Sequence, residues 1–328
     1  MSNQAKVKIC SVGKYIPEKI LTNEDLTEWL DTSDEWISSR TGIKQRHIST
    51  TENTSDLGTK AAENALANSG VDVSEIGLII VATMSPDSQS PSVACKVQAN
   101  IQAINAIAFD LNAACSGFVY ASSVAEKMLS VSSYRYALVI GAEVMSKVVN
   151  WSDRSTAVLF GDGAGAMLLE RNDHTQSFIN EDIHADGSRG SALTSGESSV
   201  QNPLTPEKET DAHLKMSGRD IFDFVVRSVP KSINDVVEKS QLQLEDVDYF
   251  LLHQANARLI KAVSKKLKQP LDKFPQNIQH YGNTSAASIP ILLEELIENG
   301  DIQLGNNQTI VLTGFGGGLA WGSLLIKL

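Results

Sequence analysis

The stretch Asp110-Leu-Asn-Ala-Ala-Cys115-Ser-Gly-Phe118 separates two patterns of apolar residues. Residues 106–111 form a short apolar run with the length and composition of a β-strand. After the cysteine, apolar side chains from Phe118 to Leu129 recur at helical spacing, which predicts a helix over residues 115–130. Cys115 is therefore expected in the first turn of a helix that follows a strand.

This position gives Cys115 a chemical interpretation. Free amides and the positive end of the helix dipole face the first turn of a helix and favour a thiolate, the nucleophilic form of cysteine. The small neighbours Ala113, Ala114, Ser116 and Gly117 leave room for a substrate. On position alone, a buried structural cysteine remains an open alternative.

The overall composition excludes several classes of protein. The 328 residues carry a net charge of −11, which argues against a general nucleic-acid-binding protein. Apolar residues make up 42% and charged residues 20%, as in a globular enzyme, and no apolar run reaches membrane-spanning length. The chain start lacks the apolar segment of a signal peptide, and the three cysteines form no CxxC motif. We therefore expect a cytoplasmic protein with no cysteine zinc site and no disulfide framework.

Strands and helices alternate along the chain, and the second half repeats the order of the first. The first half has predicted strands at residues 6–13, 78–83, 106–111, 135–142 and 156–169, and helices near 55–69, around Cys95 and at 115–130. Cys95 lies among Val93, Val97 and Ile101 at helical spacing and is expected in the core. The second half has predicted strands at residues 249–253, 277–281, 309–313 and 319–326, helices at 215–240 and after Pro290, and a surface loop at 186–212.

Corresponding elements of the two halves lie roughly 170 residues apart, which indicates a structural duplication. The alternation predicts an α/β fold with mostly parallel sheets covered by helices on both faces. We divide the chain into residues 1–172 and residues 173–328. Two related halves packed about a pseudo-twofold axis bring equivalent strand ends to one cleft, where ligands of open α/β sheets bind.

Three candidate reactive residues follow predicted strands and precede helices: Cys115, His253 and Asn283. Each has a plainer interpretation, because a histidine at a strand end is often structural and an asparagine in Gly-Asn-Thr-Ser is often a helix cap. Together they supply a nucleophile and two neutral hydrogen-bond donors for an anion. The glycine run Gly314–Gly318 adds a backbone that can aim an amide at an oxyanion, or it forms only a tight turn.

Seven motifs occur in an order that resembles the β-ketoacyl-acyl carrier protein synthase III family. The motifs are Asp-Thr-Ser-Asp-Glu-Trp-Ile at 31–37, Arg-Thr-Gly-Ile at 40–43, Ala-Ala-Cys-Ser-Gly-Phe at 113–118, Phe-Gly-Asp-Gly-Ala-Gly at 160–165, His-Gln-Ala-Asn at 253–256, Tyr-Gly-Asn-Thr-Ser-Ala-Ala-Ser at 281–288 and Phe-Gly-Gly-Gly at 315–318. The resemblance spans nearly the whole chain. It implies a thiolase-like fold with two duplicated αβα halves in one five-layered αβαβα unit, a homodimer, and the condensation that starts type II fatty acid synthesis.

The resemblance also assigns roles to the three reactive residues. Cys115 would attack an acyl-CoA thioester while the amides of Cys115 and Gly317 hold the oxyanion. His253 and Asn283 would then hydrogen-bond the enolate formed when malonyl-acyl carrier protein loses CO2. This chemistry needs no metal or other cofactor, since acyl-CoA is a substrate. The Cys-His-Asn set differs from the Cys-His-His set of elongating ketosynthases.

Substrate contacts are carried over from the family residue by residue. The implied CoA-binding residues are Trp36, Arg40, Thr41, Arg154, Gly218, Phe222, Ala255 and Asn256, with Trp36 and Arg154 on either side of the adenine. Composition alone would also allow the Trp36 segment to be an ordinary amphipathic surface. Two positions depart from the family pattern: Ser155 replaces a glycine beside the adenine, and Ser90 replaces a phenylalanine that closes the acyl pocket of a partner subunit. Phe315 is the second acyl-pocket residue that the resemblance implies.

The segment after His253 is predicted to bind the acidic carrier protein. Residues 253–270 contain no acid, although the whole chain is strongly acidic. The predicted carrier-binding residues are Gln254, Ala255, Asn256, Ala257, Arg258, Lys265 and Lys266, with Lys261 and Lys268 extending the basic run. A cationic rim on an acidic enzyme would steer an acidic partner to the tunnel mouth. The alternative is a solvated helix face.

The sequence leaves three alternatives to the condensing activity that the resemblance implies. A relative with the same residues could use other thioesters, as in polyketide synthesis. A protein that only binds acyl-CoA would form no covalent adduct. A thiol hydrolase would need an acidic partner for His253, and none is evident in the sequence.

Overall fold

A computed structural model describes residues 5–206 and 211–328. The strands are β1 (Lys6–Tyr15), β2 (Ile20–Thr22), β3 (Gln45–His47), β4 (Ile76–Ala82), β5 (Ile107–Leu111), β6 (Tyr136–Glu143), β7 (Gly163–Asn172), β8 (Phe178–Ala185), β9 (Leu193–Thr194), β10 (Lys215–Met216), β11 (Tyr249–Leu252), β12 (Thr309–Gly316) and β13 (Ala320–Lys327). The helices are α1 (Asn23–Leu26), α2 (Asp34–Thr41), α3 (Thr54–Ser69), α4 (Val93–Asn100), α5 (Gly117–Val131), α6 (Arg154–Ala157), α7 (Gly218–Lys239), α8 (Ala257–Leu267), α9 (Ile278–Tyr281) and α10 (Ser288–Glu298). In the described part of the chain, no helix is both long and apolar enough to cross a membrane.

Two sheets form the framework, one from each half of the chain. The first sheet has the strand order β1-β7-β6-β4-β5, with β4 parallel to both β5 and β6. The second sheet has the order β11-β12-β13-β8, with β11 parallel to β12. Strands β4 and β6 are buried along their whole length, as expected for near-continuous runs of aliphatic residues covered on both faces.

Helices cover both faces of each sheet and produce five layers. Helices α3 and α4 pack on the outer face of the first sheet, and α7 and α8 lie on the outer side of the second. Helices α5 and α10 lie between the two sheets and share one apolar core with both of them. The order of layers is αβαβα, which confirms the predicted thiolase-like fold.

The helix boundaries follow local capping chemistry. Ser33 accepts a hydrogen bond from the Trp36 amide at 3.1 Å and starts α2, and Gly42 ends it with a φ of 84°. Asn53 and Asp56 form a capping box at the start of α3, one residue before the predicted beginning. Thr22 caps the short α1 and forms a capping box with Asp25.

Four predictions about individual segments are wrong. Residues 277–281 form the short helix α9 rather than a strand, so the second sheet has no counterpart of β5. The predicted strand at 156–169 begins only at Gly163, because α6, capped by Asp153, occupies residues 154–157. Cys95 is exposed, since it points away from the buried face formed by Val93, Ala94 and Val97. The predicted loop at 186–212 contains β9, and residues 207–210 of it lie outside the described residues.

Strand β5 is the edge of the first sheet, and its outer side has no strand beside it in the described chain. Ile107 on this strand is 41% exposed, and Ile104 just before it is 80% exposed. Apolar side chains along an unpaired edge are unusual in a protein that functions as a single chain.

Candidate active site

Cys115 lies in a tight turn between β5 and α5. Residues Ala114–Ser116 form one 3-10 turn, and α5 begins only at Gly117. Ala114 has a φ of 46°, a conformation that side-chain-bearing residues rarely adopt. The Asn112 side-chain oxygen accepts a hydrogen bond from the Ala114 amide at 3.0 Å and stabilises the turn.

The glycine-rich end of β12 packs directly against this turn. A Cβ atom on Gly316 would lie 2.8 Å from the Cys115 Cβ and 3.1 Å from its backbone nitrogen. Only glycine permits this approach, which brings the backbone of residues 316–317 next to the sulfur. The predicted pairing of the Cys115 and Gly317 amides as oxyanion donors is consistent with this contact.

The sulfur of Cys115 is buried, and this burial opposes the thiolate that the position of Cys115 before a helix was predicted to favour. Burial raises the pKa of the Cys115 thiol to about 12, and the nearby Glu143 carboxyl adds to the increase. The Ser285 hydroxyl and the cysteine's own amide lower this pKa. Burial is the larger of these influences on the pKa of the thiol.

His253 follows β11 and is held in a dry environment. Its amide donates to the Thr313 carbonyl at 2.9 Å, and its ring packs edge-on against Phe315 with a centroid distance of 5.2 Å. Burial lowers the pKa of the His253 ring to about 3, so the imidazole is neutral at physiological pH. The Nδ1 atom lies 2.7 Å from the Ser288 Oγ atom. In a separate hydrogen bond, the Gln254 amide donates to the same Oγ atom at 3.3 Å.

Asn283 belongs to the second half of the chain, but its backbone is held by the first half. The Asn283 amide donates to the Leu159 carbonyl at 2.9 Å, and its carbonyl accepts from the Gly161 amide at 3.1 Å. Its side-chain oxygen accepts from the Ser285 amide at 2.8 Å. Because the side-chain oxygen accepts this hydrogen bond, the side-chain nitrogen of Asn283 is the atom that can donate to a ligand.

Three supporting residues were not assigned roles from the sequence. Ser285 and Ser288 lie inside the motif at 281–288, but only the structure shows that Ser285 donates to Glu143 and that Ser288 contacts His253. Glu143 is a buried acid at the end of β6 whose carboxyl accepts from the Ser285 hydroxyl at 2.9 Å. The one sequence feature that marks Glu143 is the position of an acidic residue directly after the predicted strand at 135–142.

The predicted adenine site is closed in this structure. The Arg154 guanidinium lies 4.9 Å from the centre of the Trp36 ring, and the Arg40 guanidinium lies 4.7 Å from it. Arg154 also donates to the Asp31 carbonyl at 2.5 Å. These distances leave no room for a base between Trp36 and Arg154, so insertion of a base there requires the arginine to move.

Other predicted CoA contacts differ in their accessibility. Thr41 is buried, and its hydroxyl donates to the Ile37 carbonyl at 2.7 Å and accepts from the Ile43 amide at 3.0 Å. A side-chain contact of Thr41 with a nucleotide is therefore not supported, because the hydroxyl stabilises the end of α2. Gly218 and Phe222 are exposed at the start of α7.

The start of helix α8 is hydrogen-bonded to the end of α2. Asn256 caps α8 by accepting from the Arg258 amide at 2.8 Å, and its side-chain nitrogen donates to the Arg40 carbonyl at 3.2 Å. The Arg258 side chain donates to the Ser39 carbonyl at 3.1 Å. The predicted CoA-binding helix and the predicted carrier-binding helix are therefore neighbours. All five basic side chains of this segment are exposed: Arg258, Lys261, Lys265, Lys266 and Lys268.

Gln254 does not fit its predicted role at the carrier-protein surface. It is buried, and its side-chain nitrogen donates to the carbonyls of Leu252 and Pro275 at 2.8 and 3.4 Å. Its side-chain oxygen accepts from the Asn277 amide at 3.2 Å. Its neighbours Ala255 and Ala257 are half-buried, so the exposed part of the motif begins effectively at Arg258.

A cavity of about 570 Å³ lies on the Cys115 side of the glycine-rich turn. Its lining includes Met84, Ala114, Leu193 and Gly317. Phe315, predicted to line the acyl pocket, is buried against His253 instead of lining this cavity. Ser90 lies in the exposed loop between β4 and α4, so the prediction that it reaches a partner's acyl pocket depends on a dimer.

The fold and the position of Cys115 in it define a class of protein. A five-layered αβαβα unit with a cysteine in the turn before one of its central helices is the arrangement of thiolase-like condensing enzymes. The family profile described as 3-Oxoacyl-[acyl-carrier-protein (ACP)] synthase III matches residues 109–187, and its C-terminal counterpart matches residues 237–328. The chain belongs to the β-ketoacyl-[acyl-carrier-protein] synthase III family, and it is an acyltransferase of fatty acid biosynthesis.

Similarity extends over the whole chain. The chain is 54% identical over 322 residues to the β-ketoacyl-[acyl-carrier-protein] synthase III of Streptococcus mutans, covering 98% of this chain and 99% of the relative. The crystal structure of 3-oxoacyl-[acyl-carrier-protein] synthase III from Aquifex aeolicus is 42% identical, with a TM-score of 0.92 over 98% of this chain and 100% of that one. The priming β-ketosynthase of the R1128 polyketide pathway is 31% identical, with a TM-score of 0.92 over 100% and 98% of the two chains.

Proposed function

We propose that this protein joins an acyl group from acyl-CoA to malonyl-acyl carrier protein through an acyl-enzyme on Cys115. The observation that carries the proposal is the neutral state of His253, whose pKa burial lowers to about 3. A neutral imidazole beside an asparagine donates hydrogen bonds to a developing anion without introducing a charge. Such a pair suits an enolate, and a hydrolase would instead need a base for water.

In the first step, the Cys115 sulfur attacks the acyl-CoA carbonyl carbon and a new thioester forms. The carbon–sulfur bond to CoA breaks, and the thiol proton leaves with CoA, which departs as a free thiol. The backbone amides of Cys115 and Gly317 donate to the carbonyl oxygen as it gains charge. The close packing of Gly316 on the cysteine supports this arrangement.

In the second step, the malonyl thioester loses CO2, and its bonding electrons form an enolate. The His253 Nε2–H group and the Asn283 side-chain nitrogen donate to the enolate oxygen, which fixes the ring proton on Nε2 and requires Ser288 to donate to Nδ1. The enolate carbon attacks the acyl group on Cys115. The carbon–sulfur bond to Cys115 breaks, and the released thiolate takes up a proton from solvent. No metal or redox cofactor takes part in this sequence.

The same proposal includes two partners. Acyl-CoA would bind along α2 and α7 after Arg154 moves away from Trp36. The acidic carrier protein would dock on the exposed basic residues of α8, of which Arg258 lies nearest to His253 in the chain. A second copy of the chain would pair with β5 and close the acyl pocket with its loop around Ser90. The free state of all three cysteines agrees with a cytoplasmic location.

Mass spectrometry of the intact protein tests the covalent step. Mixing with acetyl-CoA, isobutyryl-CoA or hexanoyl-CoA is expected to add one acyl group to Cys115, and the panel reports the preferred primer. Binding of acyl-CoA without a covalent adduct would reduce the protein to an acyl-CoA-binding scaffold. A Cys95→Ser variant is the control, because Cys95 is exposed and lies outside the site.

Charge reversal tests the carrier-protein surface. The double variant Arg258→Glu and Lys265→Glu is expected to raise the KM for malonyl-acyl carrier protein and to weaken its salt dependence. Acylation of Cys115 by acyl-CoA is expected to change much less. The double variant Arg227→Glu and Lys231→Glu, at two exposed cations of α7, is the control matched in net charge. Equal losses with both substrates would indicate a damaged fold, and unchanged kinetics would contradict docking on α8.

The second candidate function is the priming condensation of a polyketide pathway. The structural similarity to the R1128 priming β-ketosynthase favours it, although the curated relatives at 54% identity favour the first proposal. The malonyl donor separates the two functions. We expect strict dependence on malonyl-acyl carrier protein, and efficient turnover with malonyl-CoA alone would support the second.

A further inference from the structure

An arginine whose hydrogen bonds all go to uncharged acceptors is buried beside the backbone that holds Asn283. Arg46, on β3, has no solvent-accessible surface. Its Nη1 atom donates to the Leu21 carbonyl at 3.2 Å and to the Asn23 side-chain oxygen at 2.9 Å, and its Nη2 atom donates to the Val158 carbonyl at 2.7 Å. Among the described residues, its Nε atom has no hydrogen-bond acceptor.

This arrangement is costly for a residue that only fills space. Burial lowers the pKa of Arg46 to about 10, while the more distant Asp25 carboxyl raises it by less, so the guanidinium is still charged at neutral pH. A buried charge without a bonded counter-charge lowers the free energy of unfolding, and a methionine of similar length would fill the same space without that cost. The groups that the guanidinium joins therefore indicate what Arg46 does.

The bond to Val158 leads to Asn283. Val158 caps the C-terminal end of α6, and the next carbonyl, that of Leu159, accepts from the Asn283 amide at 2.9 Å. The stem of Arg46 packs against the same segment, because a Cβ atom added to Gly282 would lie 3.3 Å from the Arg46 Cβ. Arg46 thus contacts both the backbone that is bonded to Asn283 and the residue that precedes Asn283.

The bond to Asn23 leads to α2. Asn23 is buried, and its side-chain nitrogen donates to the Asp34 side chain at 2.8 Å and to the Ile43 carbonyl at 2.7 Å. Asp34 begins α2 and Ile43 follows its end, so Asn23 holds both ends of the helix that carries Trp36. One guanidinium therefore joins α2 and α6, the two helices beside the proposed adenine site, to the backbone of Asn283.

We propose that Arg46 is a positioning residue of the condensation, which fixes Asn283 relative to α2 and α6. The inference rests on the proposed role of Asn283 as a donor to the enolate oxygen. Such a donor acts only when it is held in place, and a displacement of about 1 Å can cost about 10²-fold in rate. Because Arg46 acts through the backbone of Asn283, its loss should slow decarboxylation and spare the attack of Cys115 on acyl-CoA.

Replacing the guanidinium by an apolar side chain tests this separation. Arg46→Met is expected to slow decarboxylation of malonyl-acyl carrier protein about 10- to 50-fold and to change acylation of Cys115 at saturating acyl-CoA by less than about threefold. Release of labelled CO2 and the mass of the intact protein give the two rates. Equal losses in both steps would overturn the inference, since a residue that only stabilises the fold affects every step. Unchanged decarboxylation would overturn it as well.

Asn23→Ala is the matched control, because it removes the connection to α2 and leaves the bond from Arg46 to Val158. It is expected to raise the KM for acyl-CoA about three- to tenfold and to leave decarboxylation within about twofold of the parent rate. A loss of decarboxylation as large as that of Arg46→Met would contradict the assignment of the Val158 bond as the contact that positions Asn283.

The double variant identifies the group through which Arg46 acts. With Asn283→Ala in place, Arg46→Met is expected to slow the residual decarboxylation by less than about twofold, because the group that it positions is absent. An undiminished effect in this background would overturn the inference alone, whereas normal decarboxylation in Asn283→Ala by itself would contradict the proposed function. If unfolding curves show that Arg46→Met is not folded, Arg46→Lys, which keeps the charge but not the planar fork, is measured in both backgrounds with the same criteria.

Discussion

The turn at residues 112–117 and the turn at residues 283–288 have the same local structure but different chemical roles. In each, an asparagine oxygen accepts the amide two residues later, at 3.0 Å for Asn112 and 2.8 Å for Asn283. Each then has a residue with positive φ, 46° at Ala114 and 49° at Ser285, followed by a 3-10 turn and a central helix. Asn112 is exposed and Asn283 is buried.

The difference shows how a duplicated fold acquires one active site. The position of Cys115 in the first turn corresponds to Ala286 in the second, and the position of Gly117 corresponds to Ser288. The first turn presents Cys115, the proposed nucleophile, and the second presents Asn283 together with Ser288, which contacts His253. The turn geometry is common to both halves, and the identity of three side chains distributes the chemistry between them.

Removing the nucleophile from the first turn should have the largest effect. Cys115→Ser is expected to abolish acyl-enzyme formation, with a loss of at least about 10³-fold in turnover, because a serine hydroxyl is a far weaker nucleophile without a base. Stopped assays of CoA release and intact-protein mass measure the loss. An acyl adduct that persists in this variant would move the nucleophile elsewhere.

The two asparagines provide a matched pair. Asn283→Ala is expected to slow malonyl decarboxylation about 10²–10³-fold while sparing acylation, because an oxyanion donor is lost. Asn112→Ala is expected to leave decarboxylation within about threefold and to lower the free energy of unfolding by about 1 kcal/mol, since it removes only the turn hydrogen bond. Release of labelled CO2 gives the rates. Similar losses in both variants would show that the asparagines are structural.

Ser288 should have an intermediate effect. Ser288→Ala is expected to reduce decarboxylation about tenfold, because Nδ1 of His253 loses the partner that keeps the proton on Nε2. Acylation of Cys115 should be nearly unchanged. Ser288→Thr, which retains a hydroxyl, is the rescue variant. If it restores nothing, the contact with His253 does not control the imidazole.

The smallest effect concerns the backbone conformation of the first turn. Ala114→Gly is expected to stabilise the protein by about 1 kcal/mol, since glycine adopts the positive φ without strain. Ala113, with a φ of −134°, is the neighbouring control, and Ala113→Gly should destabilise by about 0.5–1 kcal/mol. Urea unfolding measures both changes. Destabilisation by Ala114→Gly would mean that its methyl group matters more than its φ.

Much of the fold could be predicted from the sequence because its strands are buried and periodic. Strands β4, β6 and β12 were placed within a few residues, since near-continuous aliphatic runs have no other stable location. The segment at 277–281 was misassigned because it was matched to residues 106–111 on the assumption of complete duplication. Its Ile-Gln-His-Tyr sequence lacks a strand's apolar run, and the chain forms α9 there.

The sequence proposes the reactive groups of the candidate site but not their environment. Each of Cys115, His253 and Asn283 alone also has a structural interpretation, and it is the ordered set of family motifs around them that singles them out. The start of a helix at Cys115 can be recognised in the sequence, whereas the burial that raises the pKa of its thiol depends on packing between layers and becomes visible only in the structure. The internal bonds of Gln254 and Thr41 are likewise visible only when the packing is known.

The open edge at β5 has a consequence for how newly synthesised chains fold and assemble. A newly made chain presents an unpaired row of backbone groups flanked by Ile104 and Ile107. Such an edge pairs with any extended peptide that it meets, so it is a site for off-pathway aggregation as well as for assembly. Meeting a second copy would remove that hazard. The yield of native protein should therefore depend on how quickly newly made chains find each other. When this is slow, β5 stays unpaired for longer and is the part of the chain where misassembly is expected to begin.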